Sequence, residues 1–342
     1  MCYSLFSTLL LYCFGLYLAL VLHQLYLKGG QTRMKKVIMP HLLLLGACIC
    51  WGVNPVIGKI LNESLHPVAL STLRWLTALL ILIPLTLWRE KIDFRKVLAH
   101  WKLFFFTALF GVTLFQTCTY IAVKFTSPTN TMLINTATPI LIACFYYIFR
   151  KEVLHRIQVL GMVLATAGVC IVLSQGKLEA LLSLDFNTGD LIMVGAVLAW
   201  AAYSILSKEL MQLFPLLTTI SITSLIGVVL LVPAFLWTII EHPVTGMTWE
   251  MVSGIIYLAI SASVLAFLWW NYGMNALGTN TASMYLYLVP VITALVSTIV
   301  LREWITLSQV IGGLFVAYGV FLTTRKRPQP VQLEISTKKS VM

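Results

Sequence analysis

Residues 135–168, NTATPILIACFYYIFRKEVLHRIQVLGMVLATAG, and residues 286–319, LYLVPVITALVSTIVLREWITLSQVIGGLFVAYG, are two copies of one pattern. Subtracting 151 from the second stretch takes Pro290 to Pro139, Arg302 and Glu303 to Lys151 and Glu152, Gln309 to Gln158, Gly312 to Gly161 and Gly319 to Gly168, without a gap. Chance alignment of two apolar helices would not put a basic-acidic pair and a glutamine in register. A fainter echo pairs WGVNPVIGK at 51–59 with WAAYSILSK at 200–208, offset by 149, so that Trp51, Asn54, Gly58 and Lys59 meet Trp200, Tyr203, Ser207 and Lys208. Two merely similar amphipathic helices would also produce this second echo.

Hydrophobic residues make up 59% and charged residues 10% of the 342, and the mean hydropathy is +0.92. These values lie far outside the range of a soluble globular domain. A spanning helix needs roughly 20 mostly apolar residues, because in hydrocarbon every backbone polar group must be satisfied within the segment. Ten such segments are expected, near residues 41–60, 67–88, 101–122, 127–149, 154–174, 189–207, 215–240, 251–272, 280–301 and 304–324. An eleventh apolar stretch, 5–27, precedes them and ends in Lys28, Arg33, Lys35 and Lys36. It reads as an extra helix, as a signal-like segment, or as sequence upstream of a start at Met34, where Met-Lys-Lys followed by an apolar helix has the form of a bacterial membrane-protein start.

The net charge of +11 does not point to a nucleic acid, because the charges follow the positive-inside pattern. Lys35 and Lys36, the run Arg89, Lys91, Arg95, Lys96 and Lys102, then Arg150, Lys151 and Arg156, then Lys208, and finally Arg325, Lys326, Arg327, Lys338 and Lys339 fall in alternating loops. The other loops carry little positive charge, chiefly Lys124, Lys177 and Arg302, and with the adjoining helix ends hold Glu63, Glu179, Asp185, Asp190, Glu241 and Glu250. Both ends of the ten-helix unit are therefore expected in the cytoplasm, at the cell membrane. With five helices per copy, the second copy enters the membrane from the opposite face, an inverted repeat of the kind on which alternating access is often built. The expected organisation is an N-terminal extension at 1–33, a first five-helix repeat at 34–174, a linker at 175–187, a second repeat at 188–324 and a basic tail at 325–342.

The seven cysteines lie in apolar segments without a CxxC pair and read as packing residues. The six histidines never recur at metal-ligand spacing, and HExxH, GxSxG and the phosphate-binding P-loop are all missing. Catalysis, a metal site and a cofactor are not expected.

WGVNP in the first helix, HPVALSTLRW opening the second at 66–75, NTATP in the fourth, and a proline followed thirteen residues later by glutamate in both copies together resemble the drug/metabolite transporter superfamily in its EamA-type branch. The resemblance runs from Met34 to about Arg325. It implies an all-α integral membrane protein with ten transmembrane helices in two inverted five-helix repeats, cytoplasmic termini, and export of small metabolites, often amino acids or related compounds. Two features depart from the pattern: the extra N-terminal segment, and Tyr203 and Ser204 where the first copy has the Asn and Pro of WGVNP.

Polar side chains in a span are costly unless they face protein or water, so polar stripes at helical spacing mark a cavity-lining face. The fourth helix offers Thr131, Asn135 and Thr138, next to Pro139, whose missing amide leaves a carbonyl free. The ninth offers Ser283, Tyr287 and Pro290, with Tyr285 nearby. The third offers Thr113, Gln116 or Thr117, and Tyr120; the sixth Trp200, Tyr203, Ser204 and Ser207; the first Trp51 and Asn54. Each also reads as ordinary helix packing or an interfacial aromatic.

Arg74 costs at least roughly 2.5 kcal/mol at the bilayer centre unless it snorkels. It reads either as a partner for a substrate carboxylate or for Glu63, or as part of a structural seam. Glu152 and Glu303, with Pro139 and Pro290, read as scaffold. No carboxylate lies deep in a span, which argues against proton coupling through a mid-membrane acid. The partners expected are a small-molecule substrate and the lipid bilayer, and the sequence leaves a homodimer open. Efflux of lipophilic cationic drugs is the alternative, with Trp51, Phe115, Tyr120, Trp200, Trp269 and Trp270 as aromatic walls. A lipid-modifying membrane enzyme would need a cluster of acids, histidines or a nucleophile that the sequence lacks.

Overall fold

The computed structural model describes residues 33–125, 131, 134–150, 155–174, 188–243, 246–301 and 307–324. The extension before Arg33, the linker at 175–187, the basic tail, and the scaffold candidates Glu152 and Glu303 lie outside the described residues. Residues 1–39 and 40–342 form separate units, and the architecture below is that of the second.

All the described elements are helical. The long helices are α1 (Arg33–Asn62), α2 (Pro67–Arg89), α3 (Trp101–Phe125), α4 (Thr138–Arg150), α5 (Arg156–Leu173), α6 (Thr188–Leu213), α7 (Leu216–Glu241), α8 (Trp249–Leu277), α9 (Thr279–Met284 continuing through Leu288–Leu301) and α10 (Leu307–Thr324), and a short helix, Phe94–Ala99, lies between α2 and α3. Each expected segment thus contains helix, with the fourth interrupted at residues 136–137. Among the described residues, seven of the helices are long and apolar enough to cross a membrane, and α4, α5 and α10 contribute shorter apolar stretches. Their ends follow local chemistry. His66 caps α2, its ring nitrogen accepting from the Val68 amide at 3.3 Å, and Pro67 sits where an amide would lack a partner anyway. Gly278, at φ +88°, ends α8 and lets the chain turn directly into α9.

The inverted duplication is visible in the packing. A Cβ at Gly168 on α5 would lie 2.6 Å from the Gly312 carbonyl on α10, and a Cβ at Gly319 on α10 would lie 2.5 Å from the Gly161 carbonyl on α5. Because Gly161 and Gly168 are the repeat counterparts of Gly312 and Gly319, these two contacts are one contact made twice. Such reciprocity is the signature of a two-fold axis. Residue numbers rise along one helix as they fall along the other, so the helices are antiparallel and the axis runs across them, in the membrane plane. The counterparts α2 and α7 also pair with themselves in this way. At one end Thr86 meets Ser221, Oγ to Oγ at 2.5 Å, and Ser221 donates to the Leu82 carbonyl at 3.3 Å. At the other end His66 stacks on His242 with ring centroids 5.4 Å apart.

Two departures from regular α-helix recur at matching places. α3 widens into a π-helical stretch at Leu109–Leu114 and α8 does so at Ala259–Leu265, 150 residues later. The fourth segment, expected as one helix over 127–149, is broken by a turn at Thr136 and Ala137, and a 3₁₀ turn at Tyr285–Tyr287 breaks its counterpart α9. Pro139 therefore stands in the first turn of α4, not inside a continuous span. The missing amides of Pro139 and Pro290 would have bonded residue 135, on the far side of the first break, and residue 286, within the second.

Candidate functional site

Two polar clusters lie at the heart of the bundle, one per repeat. In the first, the Tyr120 hydroxyl on α3 donates to Asn54 Oδ1 on α1 at 2.8 Å. Arg74 Nη1 on α2 donates to the Tyr120 hydroxyl at 2.8 Å and approaches Asn54 Oδ1 at 3.4 Å. In the second, Asn271 Nδ2 on α8 donates to the Tyr203 hydroxyl on α6 at 2.9 Å, and Ser207 donates to Asn271 Oδ1 at 2.6 Å. Asn54 and Tyr203 are repeat counterparts, as are Tyr120 and Asn271. The asparagine and the tyrosine have exchanged helices between the two copies. The counterpart of Arg74 is Thr223, 149 residues on, so one cluster is cationic and the other neutral.

An aromatic cluster joins them. Trp51 stands edge-on to Trp200 at 5.2 Å and to Phe267 at 5.8 Å, Trp270 lies 5.4 Å from Trp51, and Trp75 meets Phe267 at 5.0 Å. Phe115 and Tyr203 pack on Trp200 at 4.5 and 5.0 Å. The π-helical stretches take part on both sides. In α8, the Ala262 carbonyl accepts from Trp51 Nε1 at 3.1 Å, and in α3 a Cβ at Gly111 would strike the Tyr203 ring. Wide turns of this sort are common at functional sites. A crevice too tight for a water molecule is lined by Tyr203, Ser207, Thr219, Thr223, Ser224 and Phe267, beside the neutral cluster.

Of the sequence candidates, the structure brings Trp51, Asn54, Arg74, Tyr120, Trp200 and Tyr203 into this centre. Gln116 is buried on α3. Ser204 instead bonds back to the Trp200 carbonyl within its own helix at 2.9 Å, the habit of a helical serine. The α4 and α9 stripes bond elsewhere. Thr138 donates to Asn135 Oδ1 at 3.1 Å, Tyr285 meets His41 Nδ1 at 2.5 Å, and Tyr287 accepts from Thr166 at 3.1 Å, while Thr131 is buried. Thr113 and Thr117 stitch α3 to the Gly227 carbonyl and to Ser71, which is the packing role weighed for such residues. The pairing of Arg74 with Glu63 is not formed: the hydrogen bonds of Arg74 go to Tyr120 and Asn54. Asn271, Thr223 and Phe267 are the residues that sequence reasoning missed. Adding 151 to Tyr120 would have found Asn271.

Outside the centre, polar groups close the helix ends. Glu90 accepts from the Leu217 and Thr218 amides at 3.1 and 2.7 Å, placing a carboxylate at the N-terminus of α7. Lys96 donates to the Leu213 carbonyl at 2.6 Å, and Lys208 to the Asn275 carbonyl at 2.9 Å and side chain at 2.8 Å. No group of three or more metal-ligating side chains occurs among the described residues.

A family model described as "EamA-like transporter family" matches the chain twice, over residues 38–174 and 187–325. An "Uncharacterized transporter" of Archaeoglobus fulgidus is 30% identical over 84% of this chain and 98% of its own length. The "Uncharacterized transporter YyaM" of Bacillus subtilis is 29% identical over 82% of this chain and 92% of its own. A WAT1-related protein of Arabidopsis thaliana is 23% identical over 86% and 88%. A solved crystal structure superposes with a TM-score of 0.68 at 18% identity, covering 83% of this chain and 97% of the other, which is a likeness of fold.

Proposed function

We propose, from the premise that this chain belongs to the EamA-like transporter family and is a multi-pass membrane transporter, that it exports small metabolites, amino acids or related compounds. Transport proceeds by alternating access of the two inverted repeats at the cell membrane, with both ends of the ten-helix unit in the cytoplasm. The observation that carries this reading is the pair of counterpart clusters, Asn54–Tyr120 and Tyr203–Asn271, meeting across one aromatic centre. A site built from both halves of an inverted repeat, near its axis, is one around which the halves rock to open it to either side. The absence of a second Arg74 makes the two halves of the site unequal, as an elongated or chiral substrate requires. Polar metabolites are favoured over lipophilic cations, because the guanidinium of Arg74 lies against the same aromatic wall and repels a second cation.

The test is efflux from cells preloaded with dipeptides, comparing expression of the chain begun at Met34 with a vector control. Faster efflux of particular amino acids is expected. Unchanged efflux with the protein confirmed in the membrane would remove amino acids from the substrate class.

A further inference from the structure

Arg74 is fully buried, and a guanidinium stays charged in any protein environment. Its Nη1 is engaged by Tyr120 and Asn54, but Nε and Nη2 have no acceptor within the protein. The indole N–H of Trp75, which lies against the guanidinium, and those of Trp200 and Trp270 in the aromatic cluster are buried without acceptors as well, as is the Thr223 hydroxyl on the neutral side. On the Arg74 side the unpartnered groups are donors. Unpaired buried charge is costly, and a merely structural basic residue ends on an acceptor, as Lys96 and Lys208 do on helix C-termini.

The second repeat serves as an internal control. There the counterpart position holds Thr223, and the Tyr203–Asn271 pair forms without a cation. The fold therefore does not require a charge at this place. What the charge adds is specific to the first half.

The free nitrogens define the ligand. Nε–H and the outer Nη2–H lie along one edge of the guanidinium, the two-pronged edge that takes both oxygens of a carboxylate. One buried positive charge balances one negative charge, so a doubly charged phosphate would leave an uncompensated charge in the same low-dielectric site. Trp75 lies against the guanidinium at 5.3 Å and continues through Phe267 into the Trp51, Trp200 and Trp270 cluster, a wall suited to an apolar skeleton. We propose that Arg74 is the carboxylate anchor of the transported molecule, which is a small monocarboxylate with an apolar skeleton, apolar α-amino acids included. Asn54 and Tyr120 are positioning residues that hold Nη1 and aim the free edge. The inference rests on the metabolite-transport reading and narrows it.

The test uses the purified full chain in detergent and reads tryptophan fluorescence on titration with matched probes: phenylalanine and phenylalaninamide, leucine and leucinamide, phenylacetate and phenylacetamide. The expected result is at least about tenfold tighter binding of the carboxylate in a pair, a difference of about 1.4 kcal/mol. Arg74→Gln abolishes the preference, and Arg74→Lys, a point charge without a fork, keeps only part of it. Asn54→Asp supplies an internal carboxylate beside Nη1 and is expected to raise the melting temperature while weakening carboxylate binding. If Arg74→Gln does not elute as a folded species, the Lys and Asp variants carry the test. Equal binding of acid and amide by the natural chain, a preference that survives Arg74→Gln, or no binding by any carboxylate of the panel would overturn the anchor. The efflux assay tests amino-acid export independently, because it needs no assumption about Arg74.

Discussion

Asparagine and tyrosine each carry a donor and an acceptor, so an Asn–Tyr pair can be wired in either direction. Beside Arg74, the Tyr120 oxygen accepts from the guanidinium and its hydrogen must go to Asn54 Oδ1. In the second repeat Ser207 occupies Asn271 Oδ1, so the amide donates to Tyr203 instead. The same two side chains thus bind a cation's donor in one half and a hydroxyl in the other. This difference is measurable. Tyr120→Phe removes an acceptor of a charged donor and is expected to cost about 1.5–3 kcal/mol, whereas Tyr203→Phe removes a neutral hydrogen bond and is expected to cost about 0.5–1.5 kcal/mol. Thermal unfolding of the two variants in the same detergent checks the order; a Tyr203→Phe loss equal to or larger than that of Tyr120→Phe would mean that the guanidinium does not depend on the Tyr120 oxygen.

The duplication could be read from the prolines and glycines of α4, α5, α9 and α10 because those residues tolerate few replacements at a break or a close crossing, and so keep their register. The Gly161, Gly168, Gly312 and Gly319 contacts give the physical reason: carbonyl oxygens occupy the space where Cβ atoms at Gly168 and Gly319 would be. The π-helical stretches could not be read, since a wider turn needs no particular residue type, and neither could the breaks before Pro139 and Pro290. Those breaks are why the polar stripes assigned to α4 and α9 miss the centre: a stripe argument assumes continuous 3.6-residue periodicity, which residues 136–137 and 285–287 interrupt. The stripes of α1, α3 and α6 reach the centre because the residues that do so, Trp51, Asn54, Tyr120, Trp200 and Tyr203, lie in regular α-helix. Alanine at Gly168 or Gly319 is therefore expected to force α5 and α10 apart and to lower the melting temperature by several degrees or prevent assembly. Gly195 on α6, with open space where a Cβ would go, is the control. Gly195→Ala should be neutral or stabilising by up to about 1 kcal/mol. Equal losses at Gly195 and Gly168 would show that helix propensity, not contact across the seam, sets the effect.

The seam between α2 and α7 runs from one face of the bundle to the other, and its two ends are built differently although the repeat makes them counterparts. Where α2 ends, Glu90 binds the first amides of α7. Where α7 ends, His242 stacks on His66, which caps α2. The distribution of lysine and arginine in the sequence suggested that the two faces differ, but it could not show that one carboxylate and one histidine close the same seam from opposite sides. The histidine end should respond to pH. His66 accepts from the Val68 amide through a ring nitrogen that must be unprotonated, and a proton there would also set positive charge against the N-terminus of α2. Burial, followed by the charges of Lys124 and His242, lowers its pKa below the ordinary 6.5, with Glu241 acting in the other direction. For a base with a lowered pKa, the unfolded chain takes up the proton first. The stabilisation is therefore complete above about 6.5, falls as the pH drops from there towards the folded pKa, and levels off below it. Loss of a cap is worth about 0.5–2 kcal/mol, so the amides of Val68 to Leu70 should exchange with solvent faster at pH 5.5 than at pH 7.5, by at most about thirtyfold, after correction for the intrinsic exchange rate. His66→Asn preserves a capping side chain and removes the titration, and should exchange alike at both pH values. A pH response that persists in His66→Asn would place the sensitive group elsewhere, and no response in the natural chain would mean that the α2 end of the seam stays closed with His66 protonated.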